Sequence, residues 1–137
     1  MGQKEDIVKT ENKIIVIRDK QVILDRDVAE LYGVETKRIN EALKNNPDKF
    51  PDGYVITLNI KEKDELVENF DRFKTLIHST VEPHAFTEKG LYMLATILKS
   101  PLATEVTIAI IETFSKVREV SRAIAKVNDD AEKGIMP

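Results

Sequence analysis

Residues 25–43 read DRDVAELYGVETKRINEAL, and this stretch decides the fold of the first third of the chain. Two short helices that cross through a tight turn need a small residue at the crossing, a turn residue that tolerates positive φ, and a branched apolar residue that faces back to the first helix. Ala29, Gly33 and Ile39 meet these needs in the required order. The stretch therefore predicts a helix-turn-helix.

Residues that favour helix ends set the expected limits of the two helices. Asp25 offers an N-cap for the first helix, and Gly33 suits the position just after its end. Thr36 offers an N-cap for the second helix, which Pro47 closes. We expect one helix between the members of each pair.

The second helix should expose one polar face, because Ile39 and Ala42 turn inward. The residues on that face recur at helical spacing and are Lys37, Asn40, Glu41 and Lys44. A recognition helix places such a face in the major groove of DNA, where Lys suits guanine and Asn suits adenine. A glutamate there either accepts a hydrogen bond from cytosine or repels phosphates.

Neighbouring residues suit contacts with the phosphate backbone. Thr36 stands at the helix N-terminus, where N–H groups hold phosphate, and Arg38 and Arg26 carry positive charge beside it. The predicted DNA-binding residues are Thr36, Lys37, Arg38, Asn40, Glu41, Lys44 and Arg26. The residues alone leave a second interpretation open, in which the helix pair only packs and its polar face is merely solvated.

The rest of the chain supplies a small sheet and further helices. Apolar runs between turn residues predict antiparallel strands over 14–18, 21–24 and 54–60, the first two forming a hairpin. Helical spacing predicts helices over 61–70, 88–98 and 102–128, and residues 71–84 are predicted as a loop. The expected fold class is α+β: a small antiparallel β-sheet with a helix-turn-helix and a helical C-terminal half ending in a long helix.

The last predicted helix carries an apolar stripe whose spacing alternates between three and four residues. Its members are Ala103, Val106, Ile110, Thr113, Val117, Val120, Ile124 and Val127, of which only Thr113 is polar. Before residue 115 the stripe is widened by Ile108, Ile111 and Phe114, as in a helix buried in its own domain. Beyond that point it narrows to a seam typical of helix pairing. We expect a homodimer through Val117, Val120, Ile124 and Val127; packing onto the domain itself is the alternative.

Length and composition limit the class of protein. The 137 residues suffice for one domain, and 42% hydrophobic with 33% charged residues exclude a low-complexity disordered chain. The absence of cysteine excludes disulfides and thiolate zinc sites. Since no apolar run is long enough to span a membrane and no signal peptide is recognisable, we expect a cytoplasmic protein with no membrane partner.

Net charge alone does not indicate a nucleic-acid binder. The chain has 21 basic and 24 acidic residues, a net charge of −3, whereas a typical DNA-binding protein has a basic surplus. Residues 12–50 hold 8 bases and 7 acids, and residues 51–82 hold 4 bases and 7 acids. A site for a polyanion is therefore expected in the first third of the chain.

No arrangement of residues in the sequence indicates catalysis, a cofactor or a metal site. His78 and His84 are the only histidines, and Glu82 alone between them is too little for a metal. The five glycines are scattered and form no phosphate-binding loop, and Gly90 indicates a close helix crossing. We therefore expect no enzymatic activity, no cofactor, no metal and no small-molecule substrate.

Several blocks of the chain, taken together, resemble one known family. The blocks are residues 14–37, Phe50-Pro51 with residues 54–58, residues 85–94 (AFTEKGLYML) and residues 106–114. In this order they resemble the ORF-six N-terminal (ORF6N) DNA-binding domain family, a relative of the KilA-N and Bro-N domains of phages and large DNA viruses. The resemblance implies a non-enzymatic DNA-binding module of phage regulatory or antirepressor chains. It also implies DNA contacts by Thr36, Lys37, Arg38, Asn40 and Lys44.

The resemblance also sets the expected domain limits. We expect a flexible N-terminus over 1–12, a KilA-N-like DNA-binding domain over 13–118, and a C-terminal helix extension with a frayed tail over 119–137. One departure stands at residues 79–84, which read STVEPH where many members have a Gly/Arg-rich stretch. This departure implies weaker DNA binding or dependence on a partner.

Two functions from different classes follow from the sequence. The first is sequence-selective binding of double-stranded DNA by a homodimeric transcriptional regulator of phage or bacterial origin. The second is an antirepressor-like protein–protein interaction module that binds another regulator and has little DNA affinity. The net negative charge and Glu41 favour the second function.

Overall fold

A computed structural model describes residues 12–99 and 101–132 and shows a mixed α+β fold, as predicted. The strands are β1 (Ile14–Ile17), β2 (Lys20–Leu24), β3 (Val55–Thr57) and β4 (His84–Phe86). The helices are α1 (Asp25–Tyr32), α2 (Thr36–Asn45), α3 (Ile60–Asn69), α4 (Glu88–Leu98) and α5 (Pro101–Glu132). Short 3₁₀ helices span Pro47–Lys49 and Asp71–His78.

The predicted hairpin of β1 and β2 is confirmed, but its turn lies one residue earlier than expected. Ile17 pairs with Lys20, so the two turn residues are Arg18 and Asp19, with φ of 53° and 61°. Positive φ at both central positions defines the turn whose twist matches that of two antiparallel strands. The turn adopts this conformation without glycine. The sequence therefore lacks the residue that usually indicates the position of such a turn.

The prediction of a three-stranded sheet is wrong, because β4 inserts between β2 and β3. All pairings are antiparallel, and the spatial order is β1-β2-β4-β3. Phe86 of β4 pairs with Ile23 on one side and with Val55 on the other. The predicted strand over 54–60 is shorter, and most of the predicted loop over 71–84 is the 3₁₀ helix Asp71–His78.

The sheet separates two apolar clusters. One face is covered by α1, α2, α4 and α5, and its cluster includes Ile23, Ile39, Phe86, Leu94 and Phe114. The opposite face is covered by α3 and the 3₁₀ helix Asp71–His78, and its cluster includes Val22, Leu24, Leu58, Leu66 and Phe73. Neighbouring residues of β2 alternate between the clusters, as the pleat of a strand requires.

The helix pair α1–α2 forms as predicted, except at its N-caps. Gly33 ends α1 with φ of 67°, and the N–H of Val34 donates to the carbonyl of Ala29 at 3.0 Å. Asp25 and Thr36 are the first residues of α1 and α2; the residues at the N-cap positions are Leu24 and Glu35, without a side-chain hydrogen bond. The prediction of Asp25 and Thr36 as N-caps is therefore wrong.

Gly90 marks a close approach of α4 to the backbone that precedes β3. A Cβ atom on Gly90 would lie 2.1 Å from the carbonyl oxygen of Tyr54. The same oxygen accepts the N–H of Thr87 at 3.1 Å, and the Thr87 hydroxyl accepts the N–H of Gly90, as expected of an N-cap. The partner of Gly90 is thus a turn and not a helix, contrary to the interpretation from the sequence.

α5 is one uninterrupted helix, as predicted. Its inward-facing residues up to Phe114 pack in the core, where the buried Thr113 donates its hydroxyl to the carbonyl of Ala109 at 2.7 Å. Ile108 is 47% exposed, so its expected place on the buried face is wrong. Residues 119–129 are exposed throughout.

Some expectations concern residues outside the described part. The flexible N-terminus expected over 1–12 lies there apart from Asn12, and so does the end of the frayed tail, residues 133–137. Among the described residues, no helix combines the length and the apolar character that crossing a membrane requires.

Candidate functional site

A groove of about 640 Å³ runs along the outer face of α2. One wall is α2, the opposite wall is the segment from Leu76 to Pro83, and the start of α1 forms the floor. The residues that line it are Asp25, Arg26, Thr36, Lys37, Asn40, Glu41, Lys44, Leu76, Ser79, Val81, Glu82 and Pro83. Six of the seven predicted DNA-binding residues are among them, and Arg38 lies outside the groove.

The α2 wall is open to solvent. Ile39 and Ala42 are fully buried against the core, and this fixes which side of α2 faces the groove. The Lys37 side chain is 81% exposed, and its ammonium lies 3.9 Å from the carboxylate of Glu41. Such an exposed pair at i and i+4 holds neither side chain firmly. Lys37 is therefore free to contact a ligand.

The other predicted residues differ in their exposure and in their contacts within the protein. Arg38 and Lys44 are exposed, and Thr36 is half-buried. The Arg26 guanidinium donates to the hydroxyl of Thr75 at 2.9 Å and lies 5.9 Å from the centre of the Phe73 ring. Arg26 thus already ties α1 to the 3₁₀ helix, although it still lines the groove.

A polar cluster of Asp25, His84 and Asn40 lies at the base of the α2 wall. His84 Nδ1 is 3.1 Å from Asn40 Oδ1 and 3.7 Å from Asp25 Oδ2. The Asp25 carboxylate also accepts the backbone N–H groups of His84, at 3.2 Å, and Arg26, at 2.8 Å. The cluster therefore joins α1, α2 and β4 at the groove, which Asp25 and Asn40 line.

Sequence reasoning missed the groove wall from Leu76 to Pro83, and it also missed His84, which contacts Asn40. From the sequence, His84 was predicted to lie at the end of a loop and was considered only as a metal ligand. The one available signal was its position two residues before Phe86, in a short apolar run ahead of the helix that Thr87 caps. In the described part of the chain, no group of three histidine or acidic residues is arranged to hold a metal.

The comparison with protein families decides the family of this chain. The model of the ORF6N domain matches residues 12–97. The chain belongs to the ORF6N domain family. This confirms the resemblance found in the sequence and connects the chain with phage-like regulatory domains. No curated protein and no solved structure matches the chain.

The ORF6N match contains the whole groove. It runs from the start of the hairpin almost to the end of α4, so all seven predicted DNA-binding residues fall within it. It ends before α5, although α5 packs in the same core as far as Phe114. The first half of α5 thus completes the structure of this ORF6N domain from outside the matched region.

The groove of this ORF6N domain has balanced charge and one apolar wall. Its lining holds three basic residues (Arg26, Lys37, Lys44) and three acidic residues (Asp25, Glu41, Glu82). The wall opposite α2 carries Leu76, Val81 and Pro83, with Val81 62% exposed. Residues 79–83 of this wall carry no basic side chain. The basic residues of the groove lining therefore all come from α1 and α2.

The predicted dimerisation residues lie beyond the ORF6N match. Val117 is half-buried beside the domain, whereas Val120, Ile124 and Val127 are 52%, 57% and 48% exposed. They follow one stripe of a helix whose other residues over 119–129 are also exposed. From residue 119 to residue 129, α5 does not pack on its own domain, contrary to the alternative.

Proposed function

We propose that this ORF6N domain is a helix-turn-helix that binds double-stranded DNA sequence-selectively in the cytoplasm, as a transcriptional regulator without catalytic activity. One observation carries the proposal: α2 is anchored by Ile39 and Ala42 so that Lys37, Asn40, Glu41 and Lys44 face an open groove. An α-helix fits the major groove of B-DNA, where polar side chains of one helix face read base edges.

The residues divide into two roles. Lys37, Asn40 and, further along the helix, Lys44 contact base edges, and Glu41 lies among them as an acceptor for cytosine. Arg38, Thr36 and Arg26 contact phosphates, since Arg38 lies outside the groove and Thr36 begins the helix. Arg26 contributes least, because Thr75 and Phe73 already engage its guanidinium.

Selection from a pool of random duplexes tests the proposal. We expect the protein to enrich a defined motif, and its affinity for that motif to fall steeply between about 50 and 200 mM salt, as neutralised phosphates require. Enrichment of no motif, together with no salt-dependent affinity for random duplex, would show that the proposed function is wrong.

Single substitutions separate the two roles. Asn40→Ala is expected to lower discrimination at one base pair by about 1–3 kcal/mol and to leave binding to unrelated duplexes unchanged. Arg38→Ala is expected to weaken binding to every sequence and to reduce the slope of log K against log salt by about one. Competition assays with single-base variants of the motif measure both effects. An equal loss on all sequences from Asn40→Ala contradicts its role.

We further propose that the protein binds DNA as a homodimer held by the second half of α5. Val120, Ile124 and Val127 form an exposed seam at the spacing of a two-stranded coiled coil. A dimer presents two α2 helices to half-sites about 10 base pairs apart or a multiple of that. Two linked contacts on one duplex also offset the modest positive charge of each groove, because the second contact forms at high effective concentration.

Charges placed in the seam test the dimer. Val120→Asp combined with Val127→Asp is expected to give a folded monomer in sedimentation experiments, because two buried carboxylates oppose the pairing. Ser121→Asp with Asn128→Asp is the matched control, since both residues are exposed and equally spaced on the same helix. A sedimentation mass that stays the same in both variants argues against a coiled coil.

A second candidate function is binding of another regulator protein in the same groove. The three acidic residues of the lining and the apolar wall of Leu76, Val81 and Pro83 favour it, since DNA offers no cationic partner for the acidic side chains and no broad apolar surface for the wall. In that case the salt titration shows no DNA affinity at either salt concentration, and substitutions on α2 instead abolish binding to the partner.

A further inference from the structure

His84 holds the amide of Asn40 at the base of the α2 wall. The two side chains meet through Nδ1 and Oδ1 at 3.1 Å, although one belongs to β4 and the other to α2. The His84 backbone is fixed on both sides, since it pairs with Thr57 of β3 and donates its N–H to Asp25. The imidazole therefore projects from a rigid position, with only 26% of its side chain exposed.

The groups around Nδ1 favour one of the two neutral tautomers of the imidazole. Asp25 Oδ2 lies 3.7 Å from Nδ1, and the negative charge favours a proton on that nitrogen. With the proton on Nδ1, His84 donates to the oxygen of Asn40 and cannot accept from its amide nitrogen. The contact thus distinguishes the two ends of an amide that is otherwise nearly symmetric in shape.

An amide held in this way keeps a complete recognition edge. The oxygen of Asn40 has two lone pairs, and His84 uses one of them. The second lone pair and the adjacent NH₂ group remain available, and this acceptor–donor pair is complementary to the N6 amino group and N7 of adenine. If the amide rotates by 180°, donor and acceptor exchange places and the match to adenine is lost.

We propose that His84 is a positioning residue that orients Asn40 to read an adenine in the major groove. This inference rests on the proposed function and adds to it a base identity and a residue outside the recognition helix. His84 does not touch the DNA; it acts only through Asn40. Strand β4 therefore contributes to the site through His84, whose imidazole orients the side-chain amide of Asn40.

The test compares His84→Leu with His84→Asn in the full chain. His84→Leu removes the donor and is expected to reduce the preference for adenine at the position read by Asn40 about fivefold, the worth of a typical hydrogen bond. His84→Asn places an amide N–H near the position of Nδ1 and is expected to restore most of that preference. His78→Leu is the matched control, because His78 is the other histidine and is exposed on the 3₁₀ helix.

A double-mutant cycle separates positioning from a general structural effect. In the Asn40→Ala background, His84→Leu is expected to cause no further loss of discrimination, because the group it orients is absent. Thermal unfolding of each variant shows whether the fold is retained. Equal losses from His84→Leu and His84→Asn, or additive losses with Asn40→Ala, overturn the proposal.

A measurement without DNA examines the same contact in the wild-type protein. In alkaline buffer, nitrogen-15 spectra of the histidine rings are expected to show the Nδ1–H tautomer for His84, and the Nε2–H tautomer overturns the proposal. If the wild type enriches no DNA motif at all, the proposed function fails and the role of His84 fails with it. If it enriches a motif without adenine, or one that His84→Leu leaves unchanged, only the role of His84 fails.

Discussion

Replacing Lys37 and Lys44 together by glutamate is expected to weaken binding to the selected duplex by about 100-fold or more. Both side chains lie on the exposed wall of the groove, and reversing them turns two favourable contacts with a polyanion into two repulsive ones. The salt dependence is expected to fall as well, because the reversed charges lower the number of phosphate charges that the protein neutralises. Fluorescence anisotropy with a labelled duplex over a range of salt concentrations measures both quantities.

A control with the same change in net charge shows whether the effect belongs to the groove. Lys61 and Lys89 are exposed near the N-termini of α3 and α4 and do not line the groove, so replacing both by glutamate is the matched variant. Acidic residues are favourable at helix N-termini, and the fold should tolerate the change. Equal losses in the two double variants would mean that only overall charge matters and that α2 is not the recognition helix.

Gly90→Ala is expected to destabilise the fold by about 3 kcal/mol and to lower the melting temperature by roughly 10 °C. The new Cβ atom would overlap the carbonyl oxygen of Tyr54, at 2.1 Å, and this oxygen is backbone that also accepts the Thr87 N–H. Helix propensity alone predicts the opposite sign, a stabilisation of about 1 kcal/mol. Thermal unfolding followed by circular dichroism distinguishes the two effects, because the steric clash lowers the melting temperature and the helix propensity raises it.

The control for this prediction lies on the same helix. Thr96 is exposed on α4, and Thr96→Ala is expected to change the unfolding free energy by no more than about 0.5 kcal/mol. A melting temperature of Gly90→Ala at or above that of the wild type would contradict the close packing of α4 on the backbone before β3.

Features encoded over a few residues were predictable from the sequence. Ala29, Gly33 and Ile39 lie within ten residues of one another, and the packing they specify is local, so the helix pair and its outward face followed from spacing alone. The N-caps were not predictable in the same way. Asp25 is drawn away from capping by the N–H groups of Arg26 and His84, and the second of these comes from a strand far along the sequence.

The fourth strand and half of the groove could not be predicted, for a related reason. β4 has three residues, too few to show an alternating pattern, and its register depends on partners such as Ile23 and Val55 that are remote in sequence. The wall from Leu76 to Pro83 follows from where β4 is placed. The α2 side of the groove could therefore be predicted from the sequence pattern. The opposite side and His84 could not, because their positions depend on strand pairing between distant residues.

The central place of β4 has a consequence for synthesis of the protein. β2 and β3 leave the ribosome well before the strand that lies between them, so the sheet cannot close until residue 86 has emerged. Pairings between distant residues also form slowly. A nascent or prematurely terminated chain that contains α1 and α2 but stops short of β4 lacks the strand whose His84 contacts Asn40 of α2. Such fragments are therefore poor competitors of the finished protein for its ligand.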